Sequence, residues 1–479
     1  MGESKRLIKN TGIIAIGNLC TKMVSFLLLP LYTAVLSTAE YGTVDYIVSV
    51  SFFLVPVATM LMDEGVFRFL IDCRTSEERQ RVISSAFAVT ALGLGVTVAI
   101  CIPVLALVRY RYSALLVLYV ISSSLLTMVS ALLRGLGRTS LYAALNFAAG
   151  SSAVLLNVLL VAVVRLGVTG MLLASVVSAS AASVAFVLAL GLWREVRPSA
   201  VDRATTGELL RYAIPLIPNK VSWTIMNVSG RLIIMNSLGA SASGLYAVSY
   251  KFPNFMDMVY GFFYMSWKES SARALGSDED EGAFYQMVYR ALRRFMMSVV
   301  IGMAALMPLV FRVMVAPSYH EGLLYVPILL LATYYSNISG FYGGIFTAYK
   351  DTGIMGSTTL WSALLNLALN FVAIPTLGLW GSALATLVAL FLVNEYRRRK
   401  VAKYVDLGGD RAWSAATALT LATLMALYYL RPPHFLPVLV LLAVAYFAWS
   451  NVGMVRRALR AIRRHDGVWG KSGRGKHAR

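Results

Sequence analysis

The chain has 479 residues, 58% of them hydrophobic and only 14% charged, with a net charge of +20 and a mean hydropathy of +0.69. A soluble chain carries about 25% charged residues, so these values exclude a soluble enzyme or binding domain and predict a membrane protein. Such a charge on a soluble protein would suggest nucleic acid. Here the basic residues bracket apolar runs, so a positive-inside asymmetry accounts for them and no nucleic-acid partner is expected.

A short basic segment, 1–10, precedes an apolar run over about 11–36. That run is too long for a signal-peptide core and lacks a small-residue cleavage site, so it reads as the first span. Further runs long enough to cross a bilayer, about 20 residues each, fall at 41–67, 82–108, 113–134, 140–164, 168–193, 211–238, 242–267, 288–315, 322–349, 353–375, 378–395, 412–430 and 434–454. The expected fold class is therefore an all-α membrane protein of about fourteen transmembrane helices with short connections. Pro30, Pro56, Pro103, Pro215, Pro218, Pro253 and Pro308 lie within or at the ends of these runs, where neighbouring helices can satisfy the backbone groups they free. Cys20, Cys73 and Cys101 form no CxxC pair and the four histidines are scattered, so no disulfide framework, metal site or cofactor is expected.

Charge sets the topology. With the N-terminus inside, the tails and inner loops hold 34 of the 43 Lys and Arg. The outer loops hold five, and four more (Lys22, Lys220, Arg231 and Lys251) lie within spans. This bias predicts a multi-pass protein with both termini cytoplasmic.

The chain also repeats itself. Leu7-Ile8-Lys9 matches Leu209-Leu210-Arg211, and Gly42 matches Gly244, at an offset of 202; LGVTGMLLAS (166–175) matches LGLWGSALAT (377–386) at an offset of 211. The additional residues are assigned to the acidic loop SDEDEGA (277–283). Each half holds six spans, an even number, so the two halves run in the same direction, with a site expected at their interface. The expected organisation is a cytoplasmic N-terminus over 1–10 and an N-terminal six-helix bundle over 11–193. A cytoplasmic linker over 194–210 leads to a C-terminal six-helix bundle over 211–395. A cytoplasmic loop with helices 13 and 14 covers 396–454, and a basic cytoplasmic tail covers 455–479.

Polarity within the spans is concentrated on the two helices that open each half. In the seventh span Lys220, Thr224, Asn227 and Arg231 recur at spacings of four, three and four, which on a helix gives one polar stripe. A cation deep in a bilayer costs about 3 kcal/mol on insertion scales, so two on one stripe point to a wet cavity rather than to lipid. The plainer alternative is that each cation snorkels to the nearer membrane surface. Span two carries Asp45, Ser49, Pro56, Thr59 and Asp63 on a 3.6-residue period; span eight carries Lys251, Asn254, Asp257, Gly261 and Tyr264; span one offers Asn18, Lys22, Ser25 and Tyr32. Asp63 beside Glu64 and Arg68 also reads as a solvated helix end, and Asp45 as a residue hydrated at an entrance. The substrate-binding candidates are Asn18, Lys22, Lys220, Thr224, Asn227, Arg231, Lys251 and Asn254. The ion-coupling candidates are Asp45, Asp63 and Asp257. There is no Walker-type loop, nucleophile elbow or HExxH. An enzyme is therefore not expected, and transport must draw on an ion gradient, the membrane potential or the substrate's own gradient.

The start LIKNTGIIAIGNLCTKMVSFLLLPLYTAVLSTAEYG (7–42), the segment RGLGRTSLYAALN (134–146) and the segment LNLALNFVAIPTLGLWGSALAT (365–386) resemble the Wzx-type polysaccharide flippases. Those flippases belong to the multidrug, oligosaccharidyl-lipid and polysaccharide exporter superfamily. The resemblance covers nearly the whole chain. It implies two six-helix bundles around a cationic cavity and alternating access. It also implies carriage of an undecaprenyl-diphosphate-linked oligosaccharide from inner to outer leaflet for cell-surface polysaccharide such as lipopolysaccharide. Membrane lipids, a monovalent coupling ion (Na+ or H+) and polysaccharide polymerase machinery are the partners it suggests. Lys22, Lys220, Arg231 and Lys251 fit the cationic lining by location rather than by motif. A cation-coupled drug antiporter of the same superfamily would need carboxylates in the cavity to bind a cationic drug and a coupling ion. A lipid II flippase shares the anionic substrate, and a polysaccharide polymerase would need a large outer loop.

Overall fold

The computed structural model describes residues 26–274 and 281–472, and every long element in them is a helix. In chain order these are α1 (Leu29–Val35), α2 (Thr38–Thr59), α3 (Met62–Asp72), α4 (Ser76–Leu107), α5 (Ser113–Gly135), α6 (Thr139–Asn157), α7 (Gly167–Ala189) and α8 (Arg203–Ala213). There follow α9 (Ile217–Leu238), α10 (Ala240–Ala274), α11 (Glu281–Met314), α12 (Val326–Ala348), α13 (Thr352–Leu377), α14 (Leu379–Val401), α15 (Arg411–Leu430) and α16 (Phe435–Ser472). Local chemistry fixes several starts. Ser37 with Glu40 and Thr75 with Glu78 form capping boxes on α2 and α4, while Asp202 and Asp410 cap α8 and α15 through their carboxylates. The turn before α7 uses Gly167 at φ +54 and the turn before α14 uses Gly378 at φ +61, a backbone that glycine adopts without strain. These are equivalent positions of the 211-residue repeat.

The distribution of side chains is that of a protein solvated by lipid. On α4, Leu92, Val96, Ile100, Val104 and Leu107 are exposed, whereas Ser84, Ser85, Ala86, Thr90, Gly93 and Thr97 are buried. Small and hydroxylated residues face neighbouring helices, letting them approach closely, and aliphatic residues face outward, as in a membrane bundle. Eleven helices among the described residues are long and apolar enough to cross a membrane. The expected fourteen also counted the run over 11–36, which falls largely outside the described residues, and those that became α9 and α10. These two are 22 and 35 residues long but are not among the eleven. They are the helices that carry Lys220, Arg231 and Lys251.

The run read as a second span over 41–67 is not one helix. Met60 and Leu61 both take left-handed backbone (φ 49 and 53), ending α2 and starting α3. Each such non-glycine residue costs about 1 kcal/mol or more. The break places Asp63 in the first turn of α3, so it no longer shares the helical phase of Asp45.

The helices group into two compact units. One takes the chain up to Lys251 with Met314–Gly322 and Gly356–Ala389; the other takes Phe252–Val313, Leu323–Met355 and Leu390 onward. In the first, α3, α4, α5, α6 and α8 close around Met62, Val66, Ile83, Val129, Leu133, Leu145 and Leu209. A smaller cluster joins α2 (Val44, Ile47), α5 (Leu116, Val120) and α7 (Val168, Leu172). The linker into α8 is held to α4 by Ser84 and Ser85. Their hydroxyls donate to the carbonyls of Glu195 and Asp202 and accept from the amides of Arg197 and Asp202. In the second unit, Arg293 stacks on Trp413, Arg294 pairs with Asp410, and Trp413 donates to Ser450, which fastens α15 and α16 to α11.

Candidate functional site

The site begins with an unusually close helix crossing. A Cβ on Gly42 of α2 would lie 2.0 Å from the carbonyl oxygen of Ala240, and one on Gly244 of α10 would lie 1.9 Å from that of Thr38. Only hydrogen fits at either position. The Thr38 and Ser241 hydroxyls complete the crossing at 2.9 Å. This is the small-xxx-small chemistry by which membrane helices touch backbone to backbone.

One turn further along, the approach of α2, α9 and α10 assembles charge. Arg231 on α9 donates to Asp45 on α2, with Nη1 3.3 Å from Oδ1 and side chains only 15% and 14% exposed. Its guanidinium lies over the ring of Tyr250 on α10 at 5.1 Å. Tyr41 and Tyr246 are also within its electrostatic reach. Lys251, half-buried on α10, lies within reach of both Asp45 and Arg231. Asp45 Oδ2 and Arg231 Nε are buried without a hydrogen-bond partner among the described residues. Two cations thus face one carboxylate, with unfilled hydrogen-bonding capacity on both sides of the pair. Such an arrangement can exchange Asp45 for an incoming anion without leaving Arg231 uncompensated.

The other expected site residues fall elsewhere. Asn18 and Lys22 lie outside the described residues, as does the side chain of Asn227. Lys220 is exposed near the start of α9, within electrostatic reach of half-buried Asp63. Thr224 is buried, and its hydroxyl donates to the carbonyl of Lys220. Asn254 and Asp257 are exposed further along α10. The acidic loop over 277–280 and the side chains of the basic tail also lie outside the described residues.

Sequence reasoning did not single out several neighbours. Tyr41, Tyr246 and Tyr250 surround Arg231; the last two are four residues apart on α10, a signal masked by the many aromatic residues there. On the far side of α9, Gly230 lies against Asn370 of α13 and Ser382 of α14, and Asn370 donates to Asn366 at 2.9 Å. In the second unit Arg397 is 7% exposed and donates to the carbonyls of Ser339 and Met355, each at 3.3 Å. Its place next to Arg398 and Arg399 made it read as part of an ordinary basic helix end.

Residues 7–267, more than half of the chain, match the polysaccharide biosynthesis protein family. No curated protein matches the sequence. Among solved structures the chain is similar to the lipid II flippase MurJ in an inward closed conformation, at 12% identity and a TM-score of 0.70, over 93% of this chain and 99% of that one. It is similar to an inward-facing multidrug resistance MATE transporter of the MOP superfamily at 14% identity and a TM-score of 0.66, over 81% and 98% of the two chains. A Vibrio cholerae MATE transporter aligns at 13% identity and a TM-score of 0.55, over 84% and 98%. At such identities the likeness establishes the shared fold.

Proposed function

The chain belongs to the polysaccharide biosynthesis protein family, and from that premise we propose that it is a membrane flippase. Its substrate in this reading is undecaprenyl-diphosphate-linked oligosaccharide, carried from the inner to the outer leaflet by alternating access for cell-surface polysaccharide such as lipopolysaccharide. The observation that carries the reading is the secluded cluster of Arg231, Lys251 and Asp45. A diphosphate is a dense anion, and guanidinium and ammonium groups recognise it best where water is scarce. The anion takes the place of Asp45 on Arg231, and Asp45 turns to Lys251. The bond to be broken on release is then no stronger than the internal pair that re-forms, so the product can leave. Lys220 meets the head group at a different point of the path. A cationic drug would be repelled by two cations set against one acid, which argues against an antiporter. The 34-to-5 bias of basic residues supports cytoplasmic termini, and the resemblance to the Wzx-type flippases is what suggests the bacterial inner membrane.

The test is surface polymer in a flippase-deficient host, read beside the amount of protein in the membrane. Arg231→Ala and Lys251→Ala should each reduce export by about tenfold or more, since an anion entering an apolar cleft needs a charged partner. Arg231→Lys should recover part of it, keeping the charge but losing the planar fork. Normal export by the Arg231→Ala, Lys251→Ala double variant at wild-type abundance would overturn the mechanism.

A further inference from the structure

A recess of about 470 Å³ opens inside the first unit among α5, α6 and α7, lined by Tyr119 and Ser123, by Asn146 and a run of small residues that includes Gly150, and by Ser175 and Ser178. Its volume is that of a small-molecule site. Its lining among the described residues holds no acid and no base. The Tyr119 and Ser123 hydroxyls bond one another, and the remaining polar groups are weighted toward acceptors. Asn146 spends its Nδ2 on the Ser130 hydroxyl at 3.3 Å and on the Tyr142 carbonyl at 2.9 Å, which leaves Oδ1 as its free group. Ser175 donates to the carbonyl of Met171 at 3.1 Å and Ser178 to that of Ala174, so both hydroxyl protons are taken up by the helix itself. What these three side chains offer the recess is lone pairs.

With no base among its described lining residues the wall gives phosphate no countercharge, and with no acid it gives an ammonium or metal ion none. The space is also too roomy for the close oxygen cage that a desolvated cation requires. It suits a neutral ligand dense in hydroxyl donors, with the Tyr119 ring as an apolar surface. We propose that the recess is a sugar-binding subsite that takes up part of the oligosaccharide head group. This rests on the flippase reading above and adds a second contact to it. Helix α2 packs against elements of both places. It presents Asp45 to Arg231, and Val44 and Ile47 to α5 and α7. The division of labour is chemical: cations hold the invariant diphosphate, and neutral acceptors hold the sugars.

The experiment uses the full-length protein in proteoliposomes and two probes. One is the lipid-linked oligosaccharide extracted from the producing cells; the other is the same lipid diphosphate trimmed to its first sugar. Gly150→Leu, which fills the recess, should slow transport of the full head group about tenfold and leave the one-sugar lipid within about twofold. The Ser175→Ala, Ser178→Ala double variant keeps the shape and removes two acceptors; it should slow the full head group alone, by about threefold. Arg231→Ala should slow both probes, so loss of the flippase reading is distinguishable from loss of this one. Equal effects of the double variant on both probes, or none on either, would overturn the proposal. So would protection of the recess by Na+ or K+ that the sugar does not compete away.

Discussion

Arg231, Asp45 and Lys251 form a triangle whose members are not equivalent. Removing the carboxylate with Asp45→Asn leaves two secluded cations facing each other, whereas Arg231→Gln leaves Asp45 with Lys251 as a partner. Asp45→Asn should therefore be the more destabilising, by about 3 kcal/mol, and the Asp45→Asn, Arg231→Gln double variant should return to within about 1 kcal/mol of the parent. Unfolding of the detergent-solubilised protein measures all three, and equal costs for the two single variants would show that Lys251 does not share the charge. The stripe on α9 was legible because cations at helical spacing in an apolar run are costly in lipid. The plainer alternative, snorkelling, suits Lys220, which is exposed near the start of α9. The depth of the stripe was not legible. Lys220 and Arg231 share a face, but eleven residues of helix separate them by about 16 Å, and a stripe fixes direction rather than position along the axis. Nor does any spacing in the sequence reveal that Arg231 meets an acid 186 residues away.

Among the elements, the crossing of α2 and α10 is the most constrained. Adding a methyl group at Gly42 or Gly244 brings carbon against a carbonyl oxygen, and backbone cannot yield as a side chain can. Gly42→Ala and Gly244→Ala should each push the helices apart and lower export several-fold, because Asp45 and Lys251 ride on those helices. Conversely, Thr38→Cys with Ser241→Cys, in a background lacking the three native cysteines, should form a disulfide across hydroxyls now 2.9 Å apart. Export should then fall under oxidation and return with reductant; if the locked protein exports normally, the crossing need not open. A different element, α15, is fastened at its first turn. The Trp413 backbone amide and the Arg294 guanidinium hold Asp410 below the usual carboxylate range. The stabilisation is complete above the ordinary carboxylate pKa, about 4, and is lost as pH falls through the depressed value. Trp413 fluorescence should thus be flat from neutrality to about pH 4, change only in stronger acid, and lose that transition in Asp410→Asn.

For the molecule as a whole, two residues matched by the repeat in the sequence touch each other's neighbours. Gly42 meets Ala240 and Gly244 meets Thr38, a reciprocal contact in which each residue and its counterpart are 202 positions apart. A two-fold relation between parallel halves would produce such a pairing. The chemistry breaks this symmetry. The counterpart of Asp45 is Ala247 and that of Lys251 is Ser49, so backbone is duplicated while charge is not. The runs that became α9 and α10 were counted as spans, but they carry Lys220, Arg231 and Lys251, and those two helices are not among the eleven described ones long and apolar enough to cross a membrane. An asymmetric cationic site has an energetic consequence. A diphosphate joined to a lipid and a sugar carries two negative charges, and an inside-negative potential drives them outward by about 4.6 kcal/mol per 100 mV. On the function proposed above, the cations lower the barrier but return to their starting state each cycle, so the potential would act on the cargo. In proteoliposomes, a potassium gradient with valinomycin that makes the cytoplasmic side negative should accelerate outward movement of the lipid-linked oligosaccharide, and the reversed gradient should slow it. Arg231→Ala should remove the response along with transport. Rates indifferent to the imposed potential but dependent on a sodium or proton gradient would instead assign the driving force to ion coupling, with Asp45, Asp63 and Asp257 the carboxylates to replace first.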